Sequence, residues 1–266
     1  MRSRSSVALF VLAGAALFAQ SPYGRPLAVR GVGIDQKLNG ALPLDASFTD
    51  ESGRPVQLRQ FFQGTRPVLL SLVYYQCPML CNMVLNGETR TMREMKLEPG
   101  RDYDVVTVSF DSKEKTALAA AKKATYVEKL GKPGAADAWH FLTGDEENIR
   151  SLAQSVGFRY RWDDTTKQWA HASGIIVVTP DARISRYLYG VDFQPRDLRL
   201  ALVEASKNKI GRITDQILLL CYHYDPSQGK YTVAVFKTMR VAGTATLALL
   251  GAFVFISLRR DRRSKV

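Results

Sequence analysis

LLSLVYYQCPMLCNMVLNG, residues 69–87, decides the fold. Its first part belongs to Val68–Tyr75, an apolar run rich in β-branched and aromatic residues that reads as a strand covered on both faces. Its last part, from Met83 to Leu97, has helical spacing and stops at Glu98-Pro99-Gly100. Between strand and helix stand Cys77 and Cys81, with three intervening residues where the thiol pair of a disulfide oxidoreductase usually has two. Pro78 suits a first helical position, so the spacing predicts Cys77 at the N-cap and Cys81 one turn on. An offset of four residues puts both sulfurs on about one helix face, where the positive end of the helix dipole favours thiolates. Two adjacent thiolates make a soft chelate of the kind that selects Cu(I), zinc or iron–sulfur chemistry. A structural disulfide is the other reading, open to any exported protein.

Working outward, Leu44–Phe48 and Pro55–Leu58 flank the turn-rich Asp50-Glu51-Ser52-Gly53 and predict a hairpin. Tyr103–Phe110 reads as a second buried strand. Lys115–Leu130 reads as a helix closed by Gly131, and Glu146–Val156 as a short helix with acids in its first turn. Ser173–Thr179 and Ile184–Tyr189 form a strand pair around Pro180-Asp181-Ala182, and Pro195–Lys207 a last helix. From the strand at Val68 onward the order β, α, β, α, α, β, β, α predicts an α/β thioredoxin-like fold, a central mixed sheet flanked by helices, over about residues 41–211.

In that arrangement the segment entering the strand at 173 passes the cysteine pair, so His171, one of three histidines, can join Cys77 and Cys81. Two thiolates and an imidazole suit Cu(I) and also hold Cu(II). Position alone leaves a capping or solvent-exposed loop histidine as the alternative. Met79 and Met83 flank the site, and methionines at helical spacing read as packing before ligands. His140 reads as structural and Asp163-Asp164 as a solvated loop pair. Gly31-Val32-Gly33 lacks the helix a phosphate-cradling motif requires, and no Ser-His-Asp order is present.

The ends set the compartment. Residues 1–20 have a basic start (Arg2, Arg4), an apolar stretch (Val7–Phe18) and a small residue at Ala19, the grammar of a secretory signal peptide; an uncleaved anchor is the alternative. Residues 241–258 are uncharged and make about 27 Å of helix, close to the hydrocarbon thickness. This predicts a C-terminal transmembrane helix after a connector, 212–240. The tail 259–266 carries five basic residues, which places it in the cytoplasm and the 41–211 domain outside, on the periplasmic or extracytoplasmic side. The two ends hold half of the net charge of +12. No basic stripe interleaved with aromatics remains, which excludes nucleic acid as a partner.

Over about residues 41–208 the sequence resembles the Sco/SenC family of exported thioredoxin-like proteins that help assemble the copper A centre of cytochrome c oxidase. The family's cysteine pair appears as Cys77–Cys81 and its histidine as His171, before GIIVVTPDARISRYLYG; WHFLTGDEENIRSLAQSVGFRY, 139–160, is similar to its middle stretch. The resemblance implies copper held by Cys77, Cys81 and His171, a redox-active disulfide between the cysteines, and a copper-containing respiratory oxidase subunit as client, with another copper chaperone as a further partner. The third intervening residue then widens the thiol pair into a chelate that still closes as a disulfide. Three features depart from the family. Asn82 stands where proline commonly follows the second cysteine. Met79 and Leu80 stand where an acidic residue is common. Asp111-Ser112-Lys113-Glu114-Lys115-Thr116 replaces the usual Asp-Pro-x-x-Asp-Thr, which bears on partner recognition.

Two rival functions stand beside copper delivery. A thiol–disulfide oxidoreductase that keeps client cysteines reduced fits the pair, although His171 stands where such enzymes usually have proline. A thiol peroxidase is disfavoured, because its Pro-x-x-x-Thr-x-x-Cys signature is absent before Cys77. The odd cysteine, Cys221, lies two residues before His223. If this stretch were a strand, the two would share a face and form an auxiliary copper site. As a helix from Thr214 to Asp225, which the capping signals favour, they point apart.

Overall fold

The parallel strands of the main sheet are apolar on both faces because helices cover both. The computed structural model describes residues 31–62, 64–211, 224–225 and 230–231 and part of 240–255. Two units are distinct, Met1–Ile210 and Gly211–Val266. The first unit opens with short strands β1 (Gly33–Ile34), β2 (Ser47–Thr49) and β3 (Pro55–Gln57). Strands β2 and β3 form the expected hairpin, with Phe48 opposite Val56. Its turn is closed by the Asp50 carboxylate, which accepts from the backbone of Ser52 and Arg54 at 2.9 Å each.

Strand β4 (Val68–Val73) is buried at every position, as its composition requires. Helix α1 (Leu80–Glu94) returns the chain to β5 (Asp104–Ser109), and helix α2 (Thr116–Leu130) ends on Gly131 in the left-handed region, a common helix stop. The one-turn helix α3 (Ala135–Ala138) leads into β6 (Trp139–Leu142). Helix α4 (Glu146–Ser155) is capped by Asp145, whose side chain accepts from Asn148 N. Next come β7 (Phe158–Asp163), β8 (Gln168–His171), β9 (Gly174–Val178), β10 (Ile184–Tyr189) and helix α5 (Pro195–Ala205).

The main sheet has the order β10-β9-β4-β5-β6. Strands β4, β5 and β6 run parallel, and β9 runs antiparallel to both β4 and β10. This is the expected mixed α/β arrangement, with α1 against β9, α2 and α5. Strands β6, β7 and β8 escaped the sequence reading, as did the short β1 and α3. Strand β6 carries His140, with its ring 4.8 Å from Phe61 and Nδ1 3.9 Å from the Glu51 carboxylate, a structural role as expected. Strands β7 and β8 form a hairpin with β1 on its other edge, a second sheet. The Asp163-Asp164 pair is solvated as expected and shapes the turn of that hairpin: Asp163, the last residue of β7, accepts from Thr165 N at 3.1 Å and Thr166 Oγ1 at 3.0 Å.

In the second unit Tyr224–Asp225 (β11) pairs with Lys230–Tyr231 (β12). A helix running to Asp225 is therefore corrected at its end. The intervening Pro226-Ser227-Gln228-Gly229 has hairpin-turn composition. Cys221 and His223 lie outside the described residues, as does the segment 1–20. Among the described residues no helix is long and apolar enough to cross a membrane; the stretch 241–258 is described only in part.

Candidate metal centre

Strand β4 delivers the chain to the site, and the turn after it is fastened from below. The Tyr75 hydroxyl donates to the carbonyls of Thr107 and Leu142, at 3.1 and 2.8 Å. Glu114, buried, accepts from the backbone N of Tyr75 and of Gln76 at 2.7 Å each and from Ser109 Oγ at 2.6 Å. Cys77 follows directly. Helix α1 begins at Leu80, so Cys77 is not the N-cap residue and Pro78 is not the first helical residue. The cysteine caps the helix all the same: Cys81 N donates to Cys77 Sγ at 3.2 Å, the role an N-cap oxygen usually fills. Asn82 Nδ2 donates to Cys77 O at 2.9 Å, a bond that proline at 82 would lack.

His171 is the last residue of β8 and lies opposite Tyr160 in the hairpin, not in a loop. Its Nε2 is 3.2 Å from Cys81 Sγ. Its Nδ1 lies 2.8 Å from the Ala172 carbonyl, an acceptor only, so the proton of the neutral ring belongs on Nδ1 and the Nε2 lone pair faces the sulfurs. Rings wall the imidazole in, with Phe110, Tyr74 and Phe158 at centroid distances of 5.1, 5.8 and 6.2 Å.

The donor atoms of Cys77, Cys81 and His171 all lie within 4.8 Å of one another. Metal–sulfur and metal–nitrogen bonds are about 2.0–2.3 Å, so a single ion between the three needs only a small closing movement. Both cysteines are buried free thiols. They differ electrostatically. A hydrogen bond from the Cys81 thiol, with bonds from the backbone amides of Cys81 and Met79, holds the Cys77 thiol well below the usual range. Burial, then the neighbouring Cys77 sulfur, pushes Cys81 up. The pair is a preformed thiolate beside a protonated thiol. Two sulfurs and one imidazole in an aromatic, largely dry setting suit a soft cation.

The model of the family described as SCO1/SenC matches residues 37–204. The chain belongs to this family. Among solved structures it resembles a putative electron transfer protein of Aquifex aeolicus VF5, with 22% identity over 65% of this chain and 96% of that one and a TM-score of 0.57. It also resembles a SCO1/SenC family lipoprotein of Bacillus anthracis str. Ames, with 15% identity over 65% and 99% and a TM-score of 0.53. At these identities the likeness is one of fold. No curated protein sequence matches the chain.

The segment that departs from the family pattern turns out to brace both halves of the centre. Glu114 holds the turn before Cys77. Asp111 Oδ2 accepts from Trp169 Nε1 at 3.0 Å, two residues before His171. Neither was picked out as a site residue from sequence, and the segment's closeness to the site in the fold was the available signal. Met79 and Met83 do not pack: they are 67% and 46% exposed, while Met92 and Met95 fill the core. The first turn of α1 faces solvent there, and a helical period cannot tell an inner face from an outer one.

Proposed function

We propose that this protein is a membrane-anchored extracytoplasmic copper chaperone that carries copper on Cys77, Cys81 and His171 and delivers it to the copper A centre of a cytochrome c oxidase. The observation that carries this reading is the convergence of the two sulfurs with an imidazole whose Nε2 lone pair is aimed at them. Copper is the cargo. Cys77 offers a thiolate in advance, Cys81 gives up its proton to bind, and His171 supplies a neutral donor. The leader 1–20, the span 241–258 and the basic tail support export with the domain outside the membrane. A respiratory oxidase subunit is the client this reading requires, with a second copper chaperone as donor.

The test is Cu(I) affinity of the full chain, measured by competition with a chromophoric Cu(I) chelator. One Cu(I) is expected. Changes around a metal centre cost about 10–100-fold even outside the ligand set, so His171→Ala should weaken binding at least that much with its melting temperature kept. Equal affinity in parent and variant removes His171 from the ligand set. The thiolate–thiol asymmetry favours one second reading, thiol–disulfide exchange in which Cys77 attacks a client disulfide and Cys81 resolves it. Loss of client thiol reduction with copper transfer intact would favour that reading.

A further inference from the structure

From His171 a continuous series of rings runs out of the metal centre to the surface. Phe110 lies 5.1 Å from His171 between ring centroids and 4.7 Å from Tyr160. Tyr160 lies 5.4 Å from Trp169, and Trp169 lies 5.3 Å from Trp162. Trp162 is the outer end, 37% exposed near the tip of the β7–β8 hairpin. Packing alone accounts for aromatic cross-strand pairs, and Trp162 does lie opposite Trp169. It accounts less well for what the indole nitrogens meet. Trp169 Nε1 donates to the Asp111 carboxylate at 3.0 Å, and Trp162 Nε1 donates to the Asp164 carboxylate at 3.2 Å. Tryptophan and tyrosine are the aromatic side chains most easily oxidised by one electron. An oxidised indole is strongly acidic at its N–H, and here each N–H already faces a carboxylate able to take the proton.

We propose that Tyr160, Trp169 and Trp162, reached from the centre across Phe110, form a one-electron relay that carries oxidising equivalents away from the sulfurs and His171 to the surface. The source of those equivalents rests on the copper reading: bound Cu(I) would give one electron to peroxide, becoming Cu(II) and leaving one hydroxide and one hydroxyl-class radical beside the sulfurs. Such a radical takes one electron from the Cys77 sulfur and becomes hydroxide. Trp169 returns one electron to the sulfur by way of Tyr160, and Trp162 returns one to Trp169. The net change is one electron lost from copper and one from Trp162, with peroxide reduced to two hydroxides and the Trp162 indole proton passed to Asp164. A thiol- or ascorbate-class reductant at the surface gives back the electron and the proton. Phe110 is a bridging contact and not a stopping point, because its ring is far harder to oxidise.

Trp169 is the link to test, because Phe and Tyr have nearly the same shape and only Tyr is readily oxidised. The full chain and its Trp169→Phe and Trp169→Tyr variants are loaded with Cu(I), their copper content is measured, and they are treated with hydrogen peroxide. Oxidised residues are then located by mass spectrometry. Trp162 stays in place throughout, so direct attack from solvent would mark it equally in all three. The relay requires Trp162 oxidation to fall about tenfold in Trp169→Phe, damage at His171 and the cysteines to rise, and Trp169→Tyr to restore the parent pattern. Equal Trp162 oxidation in the loaded parent and Trp169→Phe overturns the relay. Failure of the parent to load copper overturns the copper reading instead. The relay is then decided on metal-free protein: azide radicals made by pulse radiolysis oxidise Trp162, and electron exchange between Trp162 and Tyr160, for which the relay is a path in either direction, should be about tenfold slower in Trp169→Phe than in the parent. Equal rates overturn it there too.

Discussion

Two buried glutamates show how differently a carboxyl can serve. Glu114 is fully engaged by two backbone amides and a hydroxyl, and those bonds fix the turn that presents Cys77. Glu114→Ala should leave two buried amides without a partner, costing about 2–4 kcal/mol of stability and loosening the turn enough to weaken Cu(I) binding about tenfold. A melting temperature and copper affinity equal to the parent's would show that the turn holds without it. Glu88 on α1 is the reverse case, a carboxyl in the core whose oxygens make no well-formed hydrogen bond, with Ser71, itself engaged with Thr107, as its one weak side-chain donor. Burial raises it to about 8, against about 4.3 for an unfolded chain. The folded protein therefore keeps a proton that the unfolded chain releases between those values. The stabilising contribution is full below about pH 4.3 and is lost as pH rises to about 8. Glu88→Gln, neutral throughout, should remove this loss and be more stable than the parent at about pH 9 by a few kcal/mol. Melting temperatures across that range check it, and a parent whose pH dependence matches that of Glu88→Gln refutes it.

Among the elements, α1 links the site to the rest of the domain. Gly87 lies where a Cβ would stand 1.9 Å from the Val191 carbonyl oxygen. Alanine is intrinsically the better helix residue by about 1 kcal/mol, yet Gly87→Ala should destabilise by about 1–3 kcal/mol, because the backbone of the 190–193 segment must move. Thermal unfolding decides the sign, and a more stable variant shows that the loop yields freely. The elements legible in the sequence were those with one dominant signal: apolar runs for β4 and β5, capping and stop residues for α2 and α4. The β7–β8 hairpin went unread although Phe158, Tyr160 and Trp162 alternate strictly with Arg159, Arg161 and Asp163, because its turn is made by Asp163 rather than by glycine and carries no usual hairpin signal. With that hairpin unread, His171 had no strand to stand on, and the bracing by Asp111 and the ring series could not be foreseen. The convergence of Cys77, Cys81 and His171 was legible from the thioredoxin-like arrangement and the family resemblance, although position alone left His171 open. Burial was not: the period that read Met83 as packing holds equally for an outward face.

At the scale of the whole molecule, the proposal ties a copper-carrying domain to a membrane by its C-terminal side, and this constrains how cargo reaches a client. The segment 241–258 has no charged residue, Lys237 and Arg240 stand before it, and five basic residues follow it. The bias toward the tail favours retention of the tail in the cytoplasm, and a leader that directs export of residues after 20 demands the same orientation. The two signals are physically independent, so agreement between them is informative. A cysteine site outside the cytoplasm also meets an oxidising environment, where a preformed Cys77 thiolate must hold copper or close on Cys81. Fusions to the full chain test the arrangement. Alkaline phosphatase, active only when exported, should be active when inserted near Gly229 and inactive when joined after Val266, while a fluorescent protein that folds only in the cytoplasm should behave the opposite way at the two positions. Placement of both positions on the same side would remove the anchor. Copper loading would then have to occur wherever that side lies, and a cytoplasmic result would leave the membrane-bound oxidase subunit out of reach of Cys77, Cys81 and His171.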